Sequence, residues 1–149
     1  MSVELIIQYA TMVLSITALI IKRRGIKKYI PVAFFAILYA DIWCYIAKYY
    51  DLWSFPSKLF PFIKDISIPV NFFAVPVIAI FWVRYYPKTY RKGLMSSFLW
   101  TTILIIIEVV IGTQTDLLEY SGGFKWYHSY ILWYLSLHIW RRFHLWFNY

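Results

Sequence analysis

The sequence predicts an all-α protein: an integral membrane bundle of five transmembrane helices, with the N-terminus outside and the C-terminus in the cytoplasm. A bundle of four spans is the alternative. Of the 149 residues, 62% are hydrophobic and only 15% are charged, whereas about a quarter of a soluble domain is charged. The apolar residues form long runs, and clusters of basic residues close these runs. The surplus apolar surface therefore needs lipid around it.

Three clusters of basic residues set the predicted orientation. They hold eleven of the 15 Lys and Arg residues, and they consist of Lys22, Arg23, Arg24, Lys27 and Lys28, of Arg84, Lys88, Arg91 and Lys92, and of Arg141 with Arg142. Basic residues beside membrane spans stay on the cytoplasmic side. A net charge of +8 also suits a nucleic-acid-binding protein. Because the charges lie at the ends of apolar runs, the predicted partner is the lipid bilayer and not nucleic acid.

Two apolar runs near the N-terminus predict the first two spans, over residues 3–21 and 29–50. A helix of 19 residues is about 28 Å long, which is close to the thickness of the hydrocarbon core. Glu4 precedes the first run and basic residues follow it, which is the reverse of a signal peptide. We therefore expect the first run to stay in the protein as a span.

The segment 53–66 mixes aromatic with charged side chains, which is typical of a stretch that lies in the headgroup region. A third span is predicted over 68–86. Pro76 near its middle removes one backbone hydrogen bond and should kink the helix unless neighbouring groups fill the gap.

The remaining apolar runs predict a fourth span over 94–112 and a fifth over 125–140. Residues 141–149 are predicted to form an inner interfacial tail. No long polar segment separates these parts, so the chain, 1–149, is predicted to be a single transmembrane domain.

Asp41 lies near the middle of the second predicted span, about 18 Å along the helix from its start. An ionised carboxylate at this depth is costly unless it is paired or faces water. Two interpretations are equally favoured: a proton- or cation-responsive site, and a hydrogen bond between helices that holds the bundle together. Lys48 follows on roughly the same helix face, and its ammonium can reach the outer surface.

Glu108 lies in the outer third of the fourth predicted span, at a depth similar to that of Lys48. The two side chains are predicted to pair, and the favoured interpretation of this pair is structural. If Glu108 instead faces water, it could accept a proton or a cationic ligand. Gln8 and Asn71 lie in the outer halves of the first and third spans. With Lys48 and Glu108 they are predicted to form a polar pocket that is open to the outside.

Small side chains recur on one face of the second predicted span, at Ala33, Ala36, Ala40, Cys44 and Ala47. Small residues at this spacing let another helix approach closely. The face therefore predicts helix packing, and it also favours a homo-oligomer or a larger membrane-protein partner. Cys44, the single cysteine, is predicted to be buried and inert.

The sequence contains no pattern that predicts a metal site or a cofactor. His128, His138 and His144 do not follow metal-ligand spacing, and no glycine-rich phosphate loop, nucleophile elbow or carboxylate dyad occurs. No loop exceeds about 17 residues, which is too short for a separate catalytic domain. Catalytic residues, metals and cofactors are therefore not expected.

The C-terminal third resembles a known group of proteins. The run Gly122-Gly123-Phe-Lys-Trp-Tyr-His-Ser-Tyr-Ile-Leu-Trp-Tyr, together with the layout of spans and the basic aromatic tail, resembles small uncharacterised multi-pass membrane proteins of spore-forming Gram-positive bacteria. The resemblance implies a location in the plasma membrane of a bacterium. It implies no activity, because that family has none assigned.

These observations favour a noncatalytic membrane component that acts through its intramembrane polar residues, in the passage or the sensing of a small solute or ion. Asp41 would bind a proton or cation, with Glu108 and Lys48 as its electrostatic partners. The main alternative is a structural or assembly subunit of a membrane complex, in which the two carboxylates only fix helix packing. A lipid-modifying enzyme that uses the outer aromatic loop and His128 is less favoured, because no acid–base pair lies at interface depth.

Overall fold

The computed structural model describes residues 3–54, 69–114, 118–120 and 124–148. Within these residues the chain is all-α, with five α-helices and one short antiparallel pair of strands. In chain order the elements are α1 (Val3–Ile21), a 3₁₀ helix (Ile26–Tyr29), α2 (Ile30–Tyr50), β1 (Trp53–Ser54), a π-helical segment (Pro69–Ala74), α3 (Val75–Arg84), α4 (Tyr90–Gln114), β2 (Glu119–Tyr120) and α5 (Trp126–Asn148).

The first two helices occupy the predicted spans. α1 has the predicted bounds, and α2 begins one residue later than predicted because the chain is wound as a 3₁₀ helix before it. Gly25 at the start of that helix has a φ of 72°, a left-handed conformation that glycine adopts without steric cost. Pro31 lies in the first turn of α2, where its missing N–H leaves no helical hydrogen bond unmade.

The third predicted span, over 68–86, contains two consecutive helical segments of different type. The π-helical segment comes first, and regular α-helix begins only at Val75. Pro76 then falls in the first turn of α3. A proline ring inside an α-helix clashes with the carbonyl four residues earlier, and the wider π turn gives it room. The apolar helix from Asn71 to Arg84 is shorter than a full span.

The loop after α2 and the loop before α5 are joined by β1 and β2. Trp53 pairs with Tyr120 and Ser54 pairs with Glu119 in an antiparallel ladder. Apart from these first two residues, the predicted interfacial segment over 53–66 lies outside the described residues. The pairing itself ties two loops together that are far apart in sequence.

α4 and α5 are both longer than the predicted spans of 94–112 and 125–140. α5 continues as one helix through nearly all of the predicted interfacial tail, 141–149. A stacked pair of rings holds this extension on α2, because Phe143 lies on Phe35 with ring centroids 4.2 Å apart. The tail is therefore helical because its aromatic face packs on the bundle.

Within the described residues, three helices are long and apolar enough to cross a membrane: α1, the helical stretch from Ile26 to Tyr50, and α4. Large apolar side chains on these helices point away from the core, including Leu14, Phe34 and Leu99, which are each more than half exposed. Soluble monomers rarely expose contiguous apolar patches above about a few hundred Å². These surfaces indicate contact with a lipid bilayer.

The core lies where α2, α3 and α5 meet. Trp82 of α3 is fully buried there, with Leu137 and Trp140 of α5 and with Val32 and Ala36 of α2. The Trp82 indole N–H donates a 2.6 Å hydrogen bond to the Leu137 carbonyl oxygen. α4 packs on α5, and α1 packs on the π-helical segment.

The small-residue face of α2 is turned toward this core. Ala36, Cys44 and Ala47 are buried, and Ala33 and Ala40 are partly buried. α2 shares its largest interface with α3, because small side chains allow close approach of the two backbones. The face that favours self-association in the sequence therefore serves the internal packing of the chain.

Arg84 links the C-terminal end of α3 to the turn that follows α1. Its guanidinium donates to the carbonyl oxygens of Lys22 at 2.7 Å and Arg24 at 2.9 Å. It also lies over the Tyr29 ring, 5.8 Å from the ring centroid. Carbonyls at a helix C-terminus have no partner within the helix, so a cation here satisfies them and complements the helix dipole. The first two basic clusters are thereby brought to one end of the bundle.

The Tyr86 ring packs directly against Gly93 of α4, where a side chain would not fit. A Cβ at position 93 would lie 2.0 Å from the Tyr86 hydroxyl oxygen. The ring is also held by Arg141, whose guanidinium carbon lies 3.8 Å from its centroid, and by Trp82. We expect Gly93→Ala to lower the free energy of unfolding by about 1 to 3 kcal/mol, because an overpacked site must shift. Thermal unfolding in detergent measures this loss.

Gly112→Ala is the matched control in the same helix. A Cβ there would meet its nearest atom, the Leu118 carbonyl oxygen, at 3.6 Å, which is an ordinary contact. Alanine is also a better helix former than glycine, so this variant should be at least as stable as the parent. Equal melting temperatures for Gly93→Ala and Gly112→Ala would contradict the close approach of Tyr86 to Gly93.

His144 near the end of α5 is buried and stacks on Tyr29, with ring centroids 5.2 Å apart. Burial lowers the pKa of His144 below its usual value of about 6.5, and the charges of Lys28 and Arg141 lower it further. The unfolded chain therefore takes up this proton at a higher pH than the folded chain. We expect the contribution of His144 to stability to be complete above about pH 6.5 and to decline as the pH falls below it.

Melting temperatures between about pH 5 and 8 check this dependence. His144→Phe keeps the stacked ring and removes the titrating group, so its profile should be flatter than that of the parent. Parallel profiles for parent and variant would show that His144 is not the cause.

Candidate functional site

A cavity of about 390 Å³ lies between the helices. All five α-helices and the π-helical segment contribute to its wall, and β1 and β2 add Trp53 and Tyr120. The wall is mainly apolar, and its polar side chains include Gln8, Thr11, Asn71, Glu108, Ser129 and Ser136. Cavities of this size, with an apolar wall and a few polar groups, are typical of small-molecule sites.

Glu108 places a carboxylate on the cavity wall. Its Oε2 accepts hydrogen bonds from the Tyr120 hydroxyl, at 2.5 Å, and from the Ser129 hydroxyl. Its Oε1 accepts a long hydrogen bond, of 3.4 Å, from the Trp133 indole N–H. All three donors are neutral, so they stabilise the carboxylate without cancelling its charge.

The charge of Glu108 also affects the pKa of the Tyr120 hydroxyl. Burial raises the pKa of Tyr120 above its usual value of about 10, and the charge of Glu108 and the hydrogen bond to it raise it further. A phenolate would be buried beside a carboxylate, so the protonated phenol is strongly favoured. The hydroxyl therefore stays a hydrogen-bond donor to Glu108 at physiological pH.

Aromatic rings cover the cavity beside Glu108. Phe124 lies next to both Trp53 and Tyr120, with ring centroids 5.1 and 5.3 Å away. Trp53 and Tyr120 are themselves paired through the β1–β2 ladder. We call Trp53, Tyr120 and Phe124 the aromatic cover, and all three residues line the cavity.

One face of α5 forms another part of the wall. It consists of four residues at helical spacing, Ser129, Trp133, Ser136 and Trp140. The Ser136 hydroxyl donates to the Leu132 carbonyl oxygen at 2.6 Å, and it lies 3.1 Å from the Tyr39 hydroxyl. Trp140 is 1% exposed, and its indole N–H has no hydrogen-bond partner within the described residues. A residue of the wall therefore carries an unused donor.

Asn71, in the π-helical segment, is buried and bonds to two groups of α2. Its Nδ2 donates to Asp41 Oδ1 at 2.9 Å and to the Cys44 sulfur at 3.3 Å. Gln8 of α1 is also buried, and its Nε2 donates to the Glu4 carbonyl oxygen at 3.2 Å. Asn71 and Gln8 thus reach the cavity from two different elements.

The structure brings most of the predicted site residues together. Gln8, Asn71 and Glu108 line one cavity, and Asp41 is linked to it through Asn71. Lys48 is not among the residues of the wall, and its side chain is exposed in the last turn of α2. The hydrogen bonds to Glu108 come from neutral donors and not from the predicted Lys48, because a lysine near a helix end can extend into the polar region.

Sequence reasoning missed the residues that hold Glu108. Ser129 and Trp133 belong to the polar and aromatic stripe of α5, whose helical spacing was visible in the sequence. Tyr120 lies in β2, and its position beside Glu108 depends on the pairing of β2 with β1. Nothing at short range in the sequence indicates that pairing.

Fold and site together define a class of protein. The described residues form an all-α chain of five helices, and three of these helices are long and apolar enough to cross a membrane. The described residues also contain no group of three or more His, Cys, Asp and Glu side chains that could hold a metal ion. The three long apolar helices indicate a multi-pass membrane protein. Comparisons with known protein families, with curated proteins and with solved structures find no match for the chain.

Proposed function

We propose that the chain is a noncatalytic component of the plasma membrane that binds a small solute in the cavity, for its passage or its sensing. The observation that carries this proposal is the Glu108 carboxylate, which three neutral donors hold on the wall. A membrane carboxylate that served helix packing alone would need no open volume beside it. Here a cavity of about 390 Å³ adjoins it.

We also propose that the chain crosses the membrane five times, with the N-terminus outside and the C-terminus inside. Arg84 of the second basic cluster is bonded to Lys22 and Arg24 of the first. Arg141 of the third cluster lies on the Tyr86 ring, close to the end of α3. The three clusters thus share one end of the bundle, and basic residues favour the cytoplasmic side. The aromatic cover then lies at the outer end.

Reporter tags test this topology. A tag inserted after Lys28 should report the cytoplasm, and a tag inserted after Gly123 should report the outside. The same compartment for both tags would contradict five crossings in this orientation.

Cysteine accessibility tests solute entry. In a Cys44→Ala background, single cysteines replace Ala40, Ala74 or Ser136, which line the cavity. Each should react with a small methanethiosulfonate reagent added from outside, because the reagent attacks a thiolate and a thiolate needs water. Ala10→Cys is the control, since position 10 is exposed on α1 and would face lipid. Its thiol should stay unreactive.

A structural or assembly subunit is the second candidate, and the well-satisfied hydrogen bonding of Glu108 favours it. This alternative predicts unreactive cavity cysteines. It also predicts that Glu108→Gln changes protein level or complex formation and no solute binding. Reactive cavity cysteines together with an unreactive Ala10→Cys would exclude it.

Asp41 is proposed as a positioning residue, because it reaches the cavity through Asn71. Its carboxylate holds the Asn71 amide, which lines the wall. Asp41→Asn should therefore change the affinity for the solute or its pH dependence. Unaltered binding and an unaltered pH profile in this variant would remove Asp41 from the site.

A further inference from the structure

We propose that the cavity binds a small organic ammonium ion with an apolar body. This inference rests on the proposed solute-binding function and adds the chemical class of the solute. The cationic head lies against the Glu108 carboxylate, and the apolar body fills the space along α5. Charge, wall chemistry and dimensions each support this assignment.

The first support is the negative charge of Glu108, which meets no basic side chain among the described residues of the wall. The groups that bond to Glu108, from Tyr120, Ser129 and Trp133, are all neutral. Within the described part of the chain, no basic side chain lines the cavity. In surroundings of low polarity a carboxylate attracts a cation several times more strongly than in water. Oε1, with its single 3.4 Å contact, is the oxygen with room for a ligand.

The second support is the aromatic character of the wall. Four tryptophans line the cavity: Trp43, Trp53, Trp133 and Trp140. The face of an indole ring binds cations better than other aromatic rings, and such contacts are strongest where water is excluded. Rings arranged around a small volume are typical of sites for substituted ammonium ions.

The third support is the size of the cavity. The wall on α5 runs from Ser129 to Trp140, which corresponds to about 16 Å of helix. The volume of about 390 Å³ greatly exceeds that of a single ammonium group. Because the remaining wall is mainly apolar, the body attached to the cationic head should be apolar as well.

The same wall disfavours an inorganic cation. Ca²⁺ takes about six to eight oxygen ligands, and Mg²⁺ takes about six. Among the described residues that line the cavity, Glu108 is the one acidic residue, so it supplies at most two carboxylate oxygens. A hydrated metal ion would lose its water here without gaining enough ligands, whereas a substituted ammonium ion is compatible with an aromatic wall.

Choline and its uncharged carbon analogue, 3,3-dimethylbutan-1-ol, test the inference. The protein is placed in nanodiscs of phosphatidylglycerol, which carries no ammonium headgroup, and tryptophan fluorescence is titrated with each compound. We expect choline to give a saturable change and to bind at least about tenfold more tightly than the neutral analogue, because only choline interacts with the charge of Glu108 and the indole faces.

Glu108→Gln should weaken choline binding by about tenfold or more and leave the affinity for the neutral analogue unchanged. Asp51→Asn is the matched control, because it removes one negative charge from an exposed position outside the cavity wall. Asparagine also tolerates the left-handed backbone at that position, where φ is 53°. This control should bind choline as the parent does. If Glu108→Gln fails to fold, the comparison of the two compounds on the parent protein still tests the ammonium assignment.

Equal affinity of the parent for the two compounds would overturn the ammonium assignment and leave the solute-binding function standing. Failure of both compounds to bind would overturn the assignment too, and unreactive cavity cysteines in addition would overturn the proposed function. Nanodiscs of phosphatidylcholine separate the two sources of the ligand. Loss of the response to free choline in these discs identifies a lipid headgroup as the occupant, and a retained response identifies a free solute.

Discussion

Replacing Trp82 by alanine is expected to lower the free energy of unfolding by about 3 to 5 kcal/mol. Trp82 is fully buried where α2, α3 and α5 meet, and it donates to the Leu137 carbonyl oxygen at 2.6 Å. Its ring also lies beside Trp100 of α4, with ring centroids 5.9 Å apart. The truncation therefore leaves a large cavity at the junction of four helices. Thermal or denaturant unfolding in detergent measures the loss.

Two further variants separate the causes of this loss. Trp82→Phe keeps most of the ring and removes the N–H donor, so we expect a smaller loss of about 1 to 2 kcal/mol. Leu99→Ala truncates a side chain that is 61% exposed on α4 and should change stability little. A Trp82→Ala protein as stable as the Leu99→Ala protein would show that the core does not lie at Trp82.

Replacing Asn71 by leucine is expected to destabilise the protein by about 2 kcal/mol or more. The amide is 3% exposed and donates to the Asp41 carboxylate at 2.9 Å. Leucine has a similar size, so the change mainly removes a donor from a carboxylate inside the bundle. Asp41 is partly buried, so its carboxylate without this donor carries part of the cost of its lost hydration.

A double-mutant cycle with Asp41→Leu measures this pair. When both polar groups are replaced by apolar ones, no unsatisfied carboxylate remains. We therefore expect the double variant to be more stable than the sum of the single losses predicts, with a coupling of about 1 to 2 kcal/mol. Strictly additive losses would mean that the bond between Asn71 and Asp41 contributes nothing to stability.

The long helices could be predicted from sequence because their signal is local. α1 and α2 follow from uninterrupted apolar runs that basic residues close, and their bounds agree with the prediction to within a residue. The bounds of α3 and α5 could not be predicted in the same way. The π-helical segment depends on how Pro76 packs in three dimensions, and the extension of α5 depends on Phe143 finding Phe35.

The candidate site was predictable in its charges and not in its contacts. A carboxylate within an apolar run stands out in composition, so Asp41 and Glu108 were found directly. Their partners depend on which helices are neighbours. Equal depth in the membrane suggested Lys48 for Glu108, but α4 packs on α5, and the donors come from Ser129 and Trp133. The depth of a residue in the membrane can be predicted from its position along a helix, whereas the sequence does not show which helices are neighbours.

The hydrogen bonds of Arg84 to Lys22 and Arg24 have a consequence for biogenesis. The carbonyls of Lys22 and Arg24 leave the ribosome 62 and 60 residues before the guanidinium that binds them. These carbonyls are therefore synthesised well before the side chain that binds them in the folded protein. A nascent chain stalled before residue 84 should therefore hold the turn after α1 loosely, because the Arg84 guanidinium is missing from it.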